Sequence, residues 1–199
     1  MKKIILCATM MLFSVMSVYA QSSSTINSQS LEGKWKIGEG FRTLLQSALS
    51  EDEEMKDVQM DYILDFGRNN AVTIRIPMQT TEEDMDMTME INFPGTYKIN
   101  GNALSLKLDK KNVNIGITDV KTNDPEMKKI LENPEARAAL LSMMNSMIKE
   151  EMKTQMDEIG LMVDDFTSMS VQSVTDTQLE LKFGEKDIKV AVTFERLDK

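Results

Sequence analysis

Met85, Met87 and Met89 stand two residues apart, in a stretch where they alternate with Asp84, Asp86, Thr88 and Glu90. Thioethers are soft donors, so three on one strand face would suit Cu(I) in a chain poor in other soft ligands. At strand rise the three side chains start ~6.5–7 Å apart, which is wide for one ion. The same face continues into Ile91 and Phe93, as a buried face does. The chain has 18 methionines, four of them in the first twenty residues. Methionine fills irregular cores, and it also lines pockets that adapt to varied apolar ligands. Core filling, an apolar pocket and Cu(I) are thus three readings of the same residues.

The carboxylates on this stretch invite calcium, but calcium needs oxygens that converge from a loop. Asp84, Asp86 and Glu90 diverge along a flat strand and read as a solvated edge that resists strand pairing. The Glu51–Glu54 run and Asp164-Asp165 read as solvated acids too. Histidine is absent, which removes the commonest general base and zinc ligand. The one cysteine, Cys7, sits in the N-terminal apolar run. No serine occupies a Gly-x-Ser-x-Gly elbow, and no phosphate loop or dinucleotide fingerprint occurs. The expectation is a binding protein, not an enzyme, with no catalytic residue, no cofactor and no metal site.

Residues 1–20 read as a signal peptide. Lys2 and Lys3 precede an apolar run from Ile4 to Val18, and Val18-Tyr19-Ala20 gives a small-residue exit before Gln21. Leu6 stands where a lipoprotein signal would need a small residue, so a cleaved peptide is expected, with no membrane span. Losing Lys2 and Lys3 takes the formal charge from −9 to −11, which argues against nucleic acid as a partner. The chain is therefore expected to be exported, periplasmic or secreted.

What remains must position its side chains through strands. Residues 21–30 are polar and aperiodic and read as a flexible linker. From 31 to 199 a single domain is expected. Leu31–Ile37 reads as a first strand, and Phe41–Leu49 as a short amphipathic helix. Period-2 alternation then recurs through Val58–Phe66, Val72–Met78, Met85–Phe93, Tyr97–Ile99, Leu104–Leu108 and Val113–Ile117. Gly67-Arg68-Asn69-Asn70 and Asn100-Gly101-Asn102 supply hairpin turns. The period changes over about 122–168. Asp124-Pro125 and Asn133-Pro134 are helix starts, and a long helix follows with a stripe of Leu140, Met144, Ile148, Met152, Met156 and Ile159. Alternation resumes from Met169 to Phe194. The sum is a mainly β (α+β by content) antiparallel barrel of about eight to ten strands. A short helix follows strand 1, and a long helical insertion precedes the last strands.

The ends carry a further signal. Leu31-Glu32-Gly33-Lys34-Trp35 opens the domain, Gly95-Thr96-Tyr97 lies mid-sheet, and Thr193-Phe194-Glu195-Arg196 closes it. Together they resemble the lipocalin-like (calycin) barrels of secreted bacterial proteins. The resemblance implies a Gly-x-Trp tryptophan that closes one barrel end with a late arginine across its ring, here Gly33, Trp35 and Arg196. It also implies noncovalent binding of a small hydrophobic or amphipathic ligand inside or at the mouth of the barrel. Strand parity makes Tyr62, Leu64, Ile74, Ile76, Met87, Met89, Leu106 and Ile115 candidate walls, with Met144 and Met152 from the insertion. An eight-stranded barrel can also be packed solid. The alternative is then an interaction module for an envelope protein, with Cu(I) at Met85, Met87 and Met89 as a minor one.

Overall fold

The computed structural model describes residues 26–50, 58–82, 85–152, 168–183 and 190–197. The signal-peptide segment, Glu51–Glu54, Met156, Ile159 and Asp164-Asp165 lie outside the described residues. Ten strands are described: β1 (Gly33–Ile37), β2 (Val58–Met60), β3 (Ile63–Phe66), β4 (Ala71–Glu82), β5 (Met85–Asn100), β6 (Ala103–Leu108), β7 (Asn114–Thr122), β8 (Ser168–Val174), β9 (Gln178–Phe183) and β10 (Val190–Arg196). Four α-helical segments accompany them: α1 (Ser28–Leu31), α2 (Glu39–Ser50), α3 (Pro125–Glu132) and α4 (Pro134–Met152).

Eight strands close a ring in the order β4-β3-β1-β10-β9-β8-β6-β5, with β5 returning to β4. Every pairing is antiparallel. The two remaining strands prolong the ring on one side. β2 pairs with the far end of β4, Val58 with Thr80 and Met60 with Met78, in the same frame that pairs Ile63 with Arg75. The alternating run Val58–Phe66 is therefore one strand in register but interrupted at Asp61 and Tyr62. β7 likewise pairs with the first half of β5, while β6 takes the second half. The long β4–β5 hairpin thus stands beyond the barrel as a four-stranded extension, β2-β4-β5-β7.

Local chemistry sets the turns. Asn69 and Asn70 both have φ of 58°, a left-handed geometry that asparagine tolerates and that hairpins between twisted strands favour. Asp124 accepts from the amides of Glu126 and Met127 and starts α3, and Asn133 does the same for Glu135 and Ala136 at the start of α4. A bulge falls between Thr88 and Met89: Thr88 pairs with Asp119 but Met89 pairs with Ile117, leaving Thr118 over. That extra residue changes parity, so Ile115, Ile117 and Val120 are all buried on one side of β7.

The core fills the ring with Trp35, Phe66, Phe93, Tyr97, Leu104, Leu179, Leu181, Val72 and Val171, each almost fully excluded from water. Phe66 and Tyr97 meet edge to face, ring centres 5.0 Å apart. The described part of the N-terminal polar stretch is ordered against the barrel: Ile26 and Leu31 are buried, and α1 lies over one end of the ring. Composition hides this, because only two apolar residues anchor it. α4 docks along β7, where Asn145 donates to the Ile117 carbonyl at 3.2 Å and accepts from the Ile117 amide. Arg137 reaches Asp119 at 2.6 Å. An asparagine amide thus stands in for a neighbouring strand and satisfies the outer edge of β7. Gly116 makes room for it, since a Cβ there would lie 3.0 Å from the Asn145 Oδ1. Among the described residues no helix is long and apolar enough to cross a membrane.

Candidate binding site

One end of the barrel is sealed, and the residues that seal it are those of the sequence signature. Trp35 is wholly buried, and its indole N–H donates to the Leu31 carbonyl at 2.7 Å. The Arg196 guanidinium carbon lies 4.1 Å from the centre of the Trp35 ring. From there Nη1 donates to the Glu32 carbonyl at 2.9 Å and Nη2 to the Ser30 carbonyl at 3.2 Å. The Tyr97 hydroxyl donates to the Ser28 carbonyl at 3.3 Å. Burial pushes that phenol upward, and the nearby Glu32 carboxylate adds to the shift. Three side chains from three strands thus satisfy the carbonyls of α1, which would otherwise be left unpaired over an apolar core. Gly33 completes the arrangement. Its φ is +124°, and a Cβ there would sit 3.0 Å from Arg196 Nη1. Glycine at this place serves both the backbone and the guanidinium above it.

Toward the other end the side chains change. Along β5, Tyr97, Phe93 and Ile91 are buried, and Met89, Met87 and Met85 are only half-buried. Register carries this boundary across the sheet. Ile91 pairs with Ile76 and Ile115; one rung outward, Met89 pairs with Met78 and Ile117, and Met78 pairs with Met60. A row of Met60, Met78 and Met89 therefore crosses three adjacent strands on the face that continues the core. Directly paired residues place their Cβ atoms ~4.5–5.5 Å apart, so these flexible side chains are immediate cross-strand neighbours. The Tyr62 hydroxyl donates to the Met60 sulfur at 3.4 Å. Ile148 of α4 packs against the same core, and Met144 is half-buried beside it on the helix.

The candidate wall residues sort onto both sides of this boundary. Leu64, Ile74, Leu106 and Ile115 are buried in the core, with Tyr62 and Ile76 packed against it. Met87, Met89 and Met144 remain partly open to solvent. Met152 ends α4, and its side chain lies outside the described residues. The copper candidates Met85, Met87 and Met89 face Thr122, Val120 and Ile117 on β7, so only Met89 has a thioether directly opposite, Met78 on β4. Among the described residues no three His, Cys, Asp or Glu side chains gather as a metal site.

Sequence reasoning passed over a second feature. A groove of about 990 Å³ opens between α2 and the outer face of β1, β2 and β4, with walls of mixed polar and apolar surface. Outward strand positions normally read as solvated, and only the docking of α2 alongside makes them a concavity. Gln46 of α2 fixes that docking by donating to the Val58 carbonyl at 2.9 Å, on the edge of β2 that β1 does not cover. The barrel is compatible with a lipocalin-like fold; no family model matches this chain, and no curated protein does.

Proposed function

We propose that this chain is an exported, lipocalin-like binding protein that holds a small hydrophobic or amphipathic ligand, without catalysis, at the methionine-lined mouth. The observation that carries this reading is the row Met60–Met78–Met89, which continues the core face yet stays half-open. Burying such a face against a ligand gains about 25 cal/mol per Å² of apolar surface, and unbranched thioethers can repack around different shapes. The sealed end supplies the rigid base from which the mouth is held open.

A second reading rests on α4. Met143 and Met147 are 56% and 64% exposed, one helical turn apart, which suits an envelope protein docking on the insertion. Binding of an apolar dye to the intact chain, with its methionine methyl groups labelled for NMR, separates the two. The mouth reading expects shifts at Met78, Met87 and Met89 and a lipid-sized adduct in native mass spectrometry. Shifts confined to Met143 and Met147 would reject it in favour of the docking surface. Export is tested by intact mass from the native host, expected to begin at Gln21 without lipid.

A further inference from the structure

We propose that Met143 and Met147 of α4 form an oxidation site that takes up hypohalous acid ahead of the methionines at the mouth. The inference rests on the accessibility of this pair and is independent of what the mouth holds.

Composition first limits where such an oxidant can react. Of the side chains that hypohalous acids attack fastest, the chain has no histidine, one cysteine (Cys7) and 18 methionines. Its single tryptophan, Trp35, is wholly buried. Among the described residues the thioethers are thus the fastest-reacting groups, and the fold grades them by access. Met169 is buried, and Met60, Met78, Met89 and Met144 are half-buried. Met143 and Met147 stand apart from these, at 56% and 64% exposure.

Helix geometry explains the grading. Asn145 lies two residues from each of the pair and so points ~160–200° away from both. It is Asn145 that holds β7, and Ile148 on its side of the helix packs against the core. The pair therefore occupies the face turned away from the barrel, beside the exposed Ala139, Ser142 and Ser146. Residues four apart on a helix have Cβ atoms ~5–6 Å apart, so both sulfurs belong to one patch.

The reaction needs no group beyond the oxidant and water. The sulfur lone pair attacks the halogen of the hypohalous acid, and hydroxide leaves. Water then adds to sulfur as halide departs, and loss of its protons gives the sulfoxide. Sulfur loses two electrons and the halogen gains them, so the net products are sulfoxide, halide and one proton. The sulfoxide is the rung that a methionine sulfoxide reductase returns to thioether, with two thiols oxidised to a disulfide and water released.

Position decides what the product costs. Sulfoxidation turns a flexible apolar side chain into a polar one. Along Met60, Met78 and Met89 it would set a polar oxygen on the face that continues the core. On the outer face of α4 the same oxygen meets water, and no packing is lost. The most reactive place is thus the one where reaction disturbs the fold least.

The test adds hypochlorous acid to the full chain in portions kept below the amount of protein. Peptide mass spectrometry locates the oxygen, and urea unfolding follows Trp35 emission. Met143 and Met147 are expected to oxidise before Met60, Met78, Met89 and Met144, with the urea midpoint unchanged while oxygen is confined to the pair. The double variant Met143→Leu/Met147→Leu keeps a good helix former at both positions. At the same dose its mouth methionines should take up more oxygen than in the wild type, and its midpoint should fall. Oxygen appearing on the mouth row as early as on the pair would overturn the proposal. So would a midpoint that drops when only the pair is oxidised, or a double variant whose mouth methionines gain no extra oxygen.

Discussion

Arg196→Met removes the guanidinium that joins the last strand to the first helix while keeping an unbranched apolar side chain over Trp35. The wild-type group makes two hydrogen bonds to backbone carbonyls and one cation–π contact. Hydrogen bonds from a charged donor are worth ~1.5–3 kcal/mol each, and the site is only partly buried, so the lower end applies to both. The ring contact adds ~0.5–2 kcal/mol. Against this stands Arg196 Nε, which is buried without a partner among the described residues and costs ~1 kcal/mol at the low end for such groups. The net loss for Arg196→Met is about 3 kcal/mol. Arg196→Lys keeps the charge but not the fork, and should lose about 1–2 kcal/mol. Urea unfolding followed by the emission of Trp35, the single tryptophan, reads both. Gly33→Ala adds a cycle. A non-glycine residue in sparsely populated φ/ψ space costs ~1–3 kcal/mol from the backbone alone, and the new Cβ also displaces the guanidinium. The two substitutions should therefore couple by ~1 kcal/mol or more. An Arg196→Met variant within ~0.5 kcal/mol of wild type, the scatter of ordinary surface changes, would refute the account of the sealed end.

Gly95→Ala should be the most damaging small substitution in the sheet, because its Cβ would stand within 3 Å of the Lys107 carbonyl and the Leu108 Cα, backbone atoms that cannot yield. A loss of ~3 kcal/mol or more, or no soluble protein, is expected; a wild-type urea midpoint would refute it. Asn145→Ala uncovers the outer edge of β7, so exchange at the Ile117 amide should accelerate while the β9 and β10 amides stay protected, and hydrogen exchange by mass spectrometry or NMR reads the difference. Glu90 is pulled two ways: partial burial pushes its carboxyl up, and hydrogen bonds from Arg75 and Asn92 outweigh this and hold it below its usual range. A carboxyl lowered in the fold stabilises above its unfolded value and loses that contribution as pH falls through the folded one. Glu90→Gln should accordingly flatten the acid side of the stability curve below about pH 4.5.

Strand periodicity made most of the barrel legible, because one dry face forces alternation and the turns carry asparagine and glycine where φ must be positive. The Trp35–Arg196 contact was legible through resemblance, and its reason through Gly33. Three things were hidden. The interruption at Asp61 and Tyr62 leaves the register unbroken, so no change of period marks it. The extra residue at Thr118 hides in the alternation, and Val120 becomes buried only because Met89 skips a partner. The groove at Asp61 comes from α2 docking against outward residues, a long-range contact that leaves no trace in local spacing.

The placement of methionine follows from the two ends of the barrel. At the sealed end the core has a fixed shape, set by a tryptophan, a T-shaped Phe66–Tyr97 pair and a helix whose Ser28, Ser30 and Leu31 carbonyls are held by side chains. Rigid aromatic and branched residues suit a space whose shape never changes. Beyond Ile91 the sheet leaves the ring and continues as the β2-β4-β5-β7 extension, covered on one flank by α4 through Asn145 and Arg137. A wall with one rigid edge and one docked helix has to accept small changes in spacing. Met60, Met78 and Met89 are the side chains able to take up that slack without leaving a void. The transition from Phe93 to Met89 along one strand is thus where the core face passes from rigid side chains to adaptable ones.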